Sequence, residues 1–317
     1  MAHKVRRWPT IAALAVGIGM AVAPAAFQMF SRAPLGETMI NDFRPYMTAE
    51  KIDNFRGYMT TIDAASKEAV DLRERMIADG TVTAADYDRT YSGVATLNST
   101  WQGINADMSD LLDRMDVNRD NYAAVDALPR FGLFPWFFVA PGLMVAGVAA
   151  GALLAGRKGR STRKPLWALA GLGVAIIAAP VAFQMFSRAP LGGDMINDFR
   201  PMMTHQRVQN VQRYFITLGS GEGQLRVGVV PAYTAAGGST ADLPALTEFS
   251  TEWPTIVHEF NPMIATMGDN VDNFQAVDAL PPFALFPWFF VIPGVLVACF
   301  AGLALRRHPS PNQPTGG

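Results

Sequence analysis

The sequence predicts an all-α integral membrane protein: four transmembrane helices supplied by a tandem two-span repeat, with an extracytoplasmic helical bundle. Three observations predict it. The first is an internal duplication, the signature of a repeat architecture. Ala23–Thr48 (APAAFQMFSRAPLGETMINDFRPYMT) returns as Ala179–Thr204 (APVAFQMFSRAPLGGDMINDFRPMMT) at an offset of 156 residues. Asn121–Gly142 (NYAAVDALPRFGLFPWFFVAPG) returns as Asn273–Gly294 (NFQAVDALPPFALFPWFFVIPG) at an offset of 152, so the second copy is four residues shorter in its middle. The second observation is four long uncharged apolar runs in a chain that is 50% hydrophobic and only 17% charged, apolar-rich and charge-poor for a soluble protein. The third is where the charge lies. Ten of the 26 Lys and Arg fall in Met1–Pro9, Arg157–Lys164 and Arg306–Gly317, which hold no acid. All 27 acids lie in Ser31–Arg130 and Ser187–Phe283, where the other 16 bases leave a net charge of −11. Bases flanking apolar runs are the pattern of membrane topology. A nucleic-acid binder would gather them on a folded face, so no nucleic-acid partner is expected.

Repeat 1 covers residues 1–156. After the basic start, Ile11–Phe30 is an uncharged run long enough to cross a bilayer, roughly 20 residues, giving a span at 11–30. A basic start, an apolar centre and small residues at Ala23, Ala25 and Ala26 also fit a secretory leader. The second copy decides against cleavage, because Leu166–Phe186 places the same element internally, behind Lys164. Residues 31–130 follow as extracytoplasmic helices, and the second span lies at 131–154. The basic linker 157–164 (RKGRSTRK) joins repeat 2, residues 165–305, with spans at 166–186 and 283–305 around external helices at 187–282. Residues 306–317, with three prolines and a Gly pair, form a disordered cytoplasmic tail. The positive-inside tendency puts both termini and the basic linker in the cytoplasm.

The second and fourth spans open with LFPWFF, so Trp136, Phe137, Trp288 and Phe289 are expected as aromatic anchors at the outer interface, with Trp8 and Trp167 at the opposite one. Pro24, Pro141, Pro180 and Pro293 lie inside spans and bend them. No Asp, Glu, Lys, Arg or His lies within a span, so the usual mark of an ion or proton path is missing. Gln28 and Gln184 sit near the outer edge.

The acidic inserts carry helical stripes. Ile52, Phe55, Met59 and Ile62 are spaced 3, 4 and 3, and Ala69 and Met76 continue the phase until Gly80 stops it. Trp101, Ile104, Met108, Leu111 and Met115 repeat the alternation, matched in the second copy by Trp253, Ile256, Phe260, Met263 and Met267. Such stripes suit bundle packing, and neither copy buries its stripes alone, so the two copies are expected to share one bundle. Ser99–Thr100 and Ser250–Thr251 are N-cap candidates for the Trp helices, with Pro254 near the first turn of the second. Gly219–Gly223 and Gly237–Gly238 resemble turns, and Leu225–Ala245 fits a short helix plus loop.

Chemistry-bearing patterns are few. NDFRP (Asn41–Pro45, Asn197–Pro201) and VDALP (Val125–Pro129, Val277–Pro281) recur beside the spans. Arg44 is expected to reach Asp126, and Arg200 to reach Asp278, as membrane-proximal ion pairs setting register. Asp107, Asp110, Asp113 and Asp116 make a solvated acidic side of the Trp101 helix. Met202, Met203 and His205 have soft-ligand character, but the first copy holds Tyr46, Met47 and Ala49 there, so no metal or cofactor site is expected. Cys299, the single cysteine, is a small apolar residue of the fourth span. Asn98-Ser-Thr matches a glycosylation acceptor. No nucleophile elbow, zinc-binding pair, Cys–His pairing or P-loop is present, and no catalytic residue is assigned.

The FPWFFV-x-P-G signature at Phe134–Gly142 and Phe286–Gly294, with the Ala-, Gly- and Arg-rich composition, is similar to uncharacterised multi-pass membrane proteins of actinobacteria. The resemblance implies a bacterial plasma-membrane location and supplies no activity. The expectation is a non-enzymatic protein in contact with membrane lipids, displaying its external bundle to an envelope protein partner, a ligand or a second copy. The alternatives are small-molecule or lipid transport, alone or as an accessory, and a ligand sensor that needs a separate signalling partner.

Overall fold

The architecture is that of a computed structural model, which describes residues 7–306. The expected disordered tail therefore lies, beyond Arg306, outside the described residues. The described chain is all-α, without a strand. In order it forms α1 (Trp8–Ala26), α2 (Met29–Phe43), α3 (Ala49–Ala78), α4 (Ala84–Thr90), α5 (Ser92–Val117), α6 (Arg119–Asp126) and α7 (Phe134–Arg157). The second copy gives α8 (Arg163–Ala182), α9 (Met185–Phe199), α10 (His205–Gln224), α11 (Val230–Ala235), α12 (Pro244–Asp269), α13 (Val271–Asp278) and α14 (Phe286–Arg306). The chain divides into two compact units, each drawn from both repeats.

The first unit takes the chain up to Ile40, Asn121–Ile196, and the chain from Asn273. It holds four helices long and apolar enough to cross a membrane, Trp8–Ala26, Phe131–Arg157, Arg163–Ala182 and Phe283–Arg306, with mean hydropathies of 1.7, 2.1, 1.9 and 2.3. Only 28% of each apolar window is buried, so Ile11, Val22, Leu143 and Val174 face outward, each more than half exposed. A helix bundle in water would turn such residues in. The fold class expected from sequence is the one observed: all-α, with four helices of membrane-spanning length and composition.

Within this unit α1 packs on α7 and α8 on α14 through facing glycines. A Cβ at Gly17 would lie 2.8 Å from Gly142 O, and one at Gly142 would lie 2.7 Å from Ala21 N. Gly173 and Gly294 repeat the contact at 2.8 Å and 2.9 Å from each other's carbonyls. Gly17, Gly142 and Gly294 each have an alanine four residues on (Ala21, Ala146 and Ala298), the spacing that lets apolar helices approach backbone to backbone. Between the repeats, α7 and α14 meet in a column of like rings. Phe131 pairs with Phe283 at 6.1 Å, Phe134 with Phe286 at 5.8 Å, and Phe138 with Phe290 at 4.4 Å. The LFPWFF motif thus divides by helical phase, sending Phe134 and Phe138 inward and Trp136 outward.

The first and third spans are shorter at their ends than the apolar runs 11–30 and 166–186. Both helices stop at Ala26 and Ala182, because Gln28 and Gln184 adopt left-handed conformations with φ of 55° and 53°. The carbonyl of Gln28 then accepts from Ser31 N, Arg32 N and Ser31 Oγ, which starts α2 in a new direction, and Gln184 does the same for α9. Hydropathy does not register this break, since Phe27, Met29 and Phe30 are apolar.

The second unit, Asn41–Asp120 with Asn197–Asp272, is a four-helix bundle. Around the ring α3, α5, α10 and α12 each run antiparallel to both neighbours: Lys51 meets Glu259 and Thr61 meets Glu252, while Gly93 meets Gln224 and Asp107 meets Arg207. Ile52, Phe55, Met59, Ile62, Ala69 and Met76 are buried, as are Trp101, Ile104, Met108, Leu111 and Met115. Thr48 and Thr204, equivalent residues, cap α3 and α10 by accepting from Lys51 N and Arg207 N, each at 3.2 Å.

Three local expectations fail here. Ser99 and Thr100 do not cap a helix, because α5 begins at Ser92 and both hydroxyls donate back to Thr96 O, at 3.0 Å and 2.7 Å. Likewise Thr251 donates to Thr247 O, and Pro254 lies inside α12, which begins at Pro244. Gly219 and Gly221 are not turn residues but contact points within α10. A Cβ at Gly221 would fall 2.6 Å from Leu97 Cδ2, and one at Gly219 would fall 3.3 Å from Trp253. Beyond α10, Leu225–Val229 is a π-helical turn leading into α11, and Gly237 turns the chain with φ of 97°.

Candidate functional site

The first unit carries a related pair of apolar grooves. One, of about 300 Å³, lies between α1 of the first repeat and α14 of the second, lined by Val16, Gly19, Met20, Phe27, Met29, Trp288, Phe289 and Pro293 among others. The other, of about 260 Å³, lies between α8 and α7, with Leu172, Ala175, Ile176, Phe183, Met185, Trp136, Phe137 and Pro141 in the equivalent places. Gln28 and Gln184 bring this about locally. A left-handed residue between two apolar ones turns both Phe27 and Met29, and both Phe183 and Met185, to the same groove.

All four expected aromatic anchors line these grooves. Trp136 and Trp288 are 56% and 48% exposed, each edge-on at 5.7 Å to a phenylalanine of its own repeat, Phe30 or Phe186. Phe137 and Phe289 cross instead to the other repeat, meeting Phe183 at 5.8 Å and Phe27 at 6.2 Å. The sequence marked the anchors but not the groove, which exists only once the repeats are packed.

Two further residues at the groove ends escaped the sequence reading. Arg32 lies one helical turn beyond Met29 on α2, and its Nη1 donates to Ala279 O at 2.9 Å, two residues before the groove-lining Pro281. Arg188, the equivalent residue, donates to Ala127 O at 3.1 Å, two residues before Pro129 of the other groove. The available signal was FSRAPLG, repeated unchanged, which sets a lone base beside each apolar run.

Arg44 and Arg200 stand exposed in the turns after α2 and α9, while Asp126 and Asp278 are the half-buried last residues of α6 and α13. The soft-ligand trio is dispersed: Met202 and Met203 are buried, and exposed His205 turns Nε2 to Asp272 at 3.1 Å. Among the described residues no group of three His, Cys, Asp or Glu is arranged to hold a metal ion. The Asn98 amide is buried within α5, out of reach of a glycosylating enzyme.

In the bundle unit the carboxylates of α5 keep the solvent exposure expected of them, Asp113 at 67%, and three of the four also reach a neighbouring helix. Asp113 takes Arg56 of α3 at 2.8 Å, Asp116 takes it at 3.1 Å, and Asp107 takes both Arg207 and Tyr214 of α10. Burial acts to raise the Asp107 pKa, but the hydrogen bonds from Tyr214 and Arg207 together outweigh it and hold the carboxyl below its ordinary range. Asp63 is held low by Lys67 and by the Trp101 indole, which donates at 2.9 Å. Glu222, fully inside, is matched by Arg226 at 2.8 Å one turn along. Arg56 and Arg207 thus tie neighbouring helices together, whereas the Asp63–Lys67 and Glu222–Arg226 pairs brace a single helical run.

Fold and grooves together define an all-helical protein with four helices fit to span a membrane, two apolar grooves between its repeats, and an acidic bundle. Comparison with protein-family models and with curated proteins finds no match for the chain.

Proposed function

We propose that this is a non-enzymatic, four-span protein of the bacterial plasma membrane, with both termini and residues 157–164 in the cytoplasm, which displays its acidic four-helix bundle outside the cytoplasm to a basic partner or ligand. One observation carries it. The bundle unit holds 23 Asp and Glu against 13 Lys and Arg, whereas the unit with the spans holds four acids against 13 bases. The ten bases gathered in the short segments 1–9, 157–164 and 306–317 favour retention of those segments in the cytoplasm, and an acidic surface steers basic partners towards it. The resemblance to actinobacterial membrane proteins supports the compartment.

The test places single cysteines in a Cys299→Ser background at Asp120 and Asp272, whose side chains are 92% and 82% exposed, and at Lys158. An impermeant maleimide on intact cells is expected to label the first two and spare the third. Protection of either acidic insert would overturn the topology. Crosslinking on cells should then trap a partner whose recovery falls as salt rises, and salt-independent recovery would argue against the acidic surface as the recognition element. A second reading, lipid handling, is favoured by the paired grooves.

A further inference from the structure

We propose that each groove is a binding site for one anionic phospholipid of the bilayer, with an acyl chain along the groove and the headgroup phosphate on Arg32 at one site and Arg188 at the other. The inference rests on the membrane reading of the four apolar helices and deepens the lipid-handling alternative.

Size and lining come first. An apolar cavity of ~150 Å³ already takes up benzene, and these grooves offer about 300 and 260 Å³ with scarcely a polar atom on their walls. One wall follows α1 (Val16, Met20, Ala23) on to Phe27 and Met29, and the other follows α14 (Trp288, Phe289, Pro293). A lining that continues over several helical turns suits an acyl chain laid along it.

The rim decides the headgroup. Arg32 and Arg188 are the bases at the groove ends, each joined to a backbone carbonyl beside a groove-lining proline. Several arginines of the bundle unit sit on carboxylates instead, as Arg56, Arg73 and Arg207 do. Among the described residues neither Arg32 nor Arg188 has an acidic partner within ion-pair distance. A guanidinium has five donors, the carbonyl uses one, and the planar fork matches a phosphate oxygen pair. An anionic headgroup would supply the missing countercharge where the apolar wall ends. The Trp136 and Trp288 rings, half exposed on these walls, are of the type favoured at headgroup level.

The experiment uses the full chain, released from lipid-rich micelles and read by native mass spectrometry with phosphatidylglycerol or phosphatidylcholine as the probe. Two phosphatidylglycerol molecules are expected to stay bound under conditions that strip phosphatidylcholine. Arg32→Ala with Arg188→Ala should weaken retention about tenfold or more, the scale of a lost charge-assisted contact, while Arg→Lys at both should keep part of it. Gly19→Leu gives an independent arm: a Cβ there meets nothing within 4 Å, so the side chain enters one groove without displacing backbone, and stoichiometry should drop from two to one. Equal retention of both lipids, indifference to the arginine variants, unchanged stoichiometry in Gly19→Leu, or displacement by millimolar inorganic phosphate would each overturn the proposal. Extraction of the chain from membranes by alkaline carbonate would instead sink the membrane reading beneath it.

Discussion

Asn118 and Asp198 tie the first repeat to the second: Asn118 Nδ2 donates to Asp198 Oδ2 at 2.9 Å, and the equivalent pair, Asn270 and Asp42, repeats the bond at 3.0 Å in the opposite sense. Each asparagine caps the end of a long bundle helix, α5 or α12, and also bonds its own last turn, to Arg114 O or Thr266 O. Both asparagines are fully buried, and each reaches out to a carboxylate that keeps contact with water, Asp198 half-buried and Asp42 exposed. One side chain thus closes a helix and fixes how the repeats pair.

Removing that amide leaves a carboxylate short of a donor, a loss of roughly 1–3 kcal/mol. Asn118→Ala and Asn270→Ala are each expected to destabilise the bundle by that amount in denaturant unfolding of the detergent-solubilised chain. Asn118→Asp should cost more at neutral pH, because it sets a carboxylate against Asp198, and part of that loss should return as acid protonates the pair. An Asn118→Asp protein as stable as the parent at neutral pH would contradict the assigned contact.

The acid response of the parent follows from Asp63, Asp88 and Asp107, all held below the ordinary carboxylate range. For Asp88 the bidentate hydrogen bonds of Arg73, at 2.9 and 2.8 Å, are the cause. A carboxyl whose folded pKa is depressed contributes stability above its unfolded pKa and loses it as pH falls through the folded value. The unfolding midpoint should therefore stay level from neutrality to about pH 4 and fall below that. Asp107→Asn should lower the level region and shrink the fall, whereas Asp120→Asn, at a highly exposed site, should leave both unchanged. Matching profiles for the two variants would remove Asp107 from the account.

The sequence carried the fold class and the stripes because both are periodic in one dimension: two copies at fixed offset, and apolar residues at helical spacing that all prove buried on α3 and α5. It carried less where a side chain had two uses. Ser99 and Thr100 looked like caps, yet hydroxyls inside a helix bond equally well to the preceding turn. Gly219 and Gly221 looked like turns because glycine serves both bends and close contacts, and only the presence of Leu97 and Trp253 distinguishes these. The grooves and their arginines depend on which repeat's helix faces which, and composition does not encode that.

The glycine contacts between spans give a sharper test. Gly142→Val and Gly294→Val put atoms where Ala21 N and Gly173 O already lie, so α1 and α7, or α8 and α14, must separate. Overpacking of this kind costs about 1–3 kcal/mol or more, read as a lowered midpoint in denaturing-detergent titrations. Gly147→Ala and Gly151→Ala, on the same helix but with open space around the new Cβ, should be neutral or stabilise slightly through helix propensity, by up to ~1 kcal/mol. Equal effects at both kinds of site would mean that α1 and α7 do not meet through their glycines.

Gln28 couples backbone strain to the groove. A non-glycine residue in the left-handed region costs roughly 1–2 kcal/mol, and here it is the residue that turns Phe27 and Met29 together to the groove wall. Gln28→Gly should relieve part of that cost, less the extra freedom glycine gains when unfolded, and so leave stability unchanged or raised by up to about 1 kcal/mol. Gln28→Val should do the reverse, since a β-branched side chain is a severe outlier at positive φ, and the chain would tend to continue α1 as a regular helix. Successive helical residues diverge by about 100°, so Phe27 and Met29 could no longer face one groove. Paired measurements on the valine variant, unfolding midpoint and phosphatidylglycerol retention, should therefore fall together at the Arg32 site while the Arg188 site keeps its lipid. A valine variant with full stability and two retained lipids would show that the left-handed turn is not what shapes the groove.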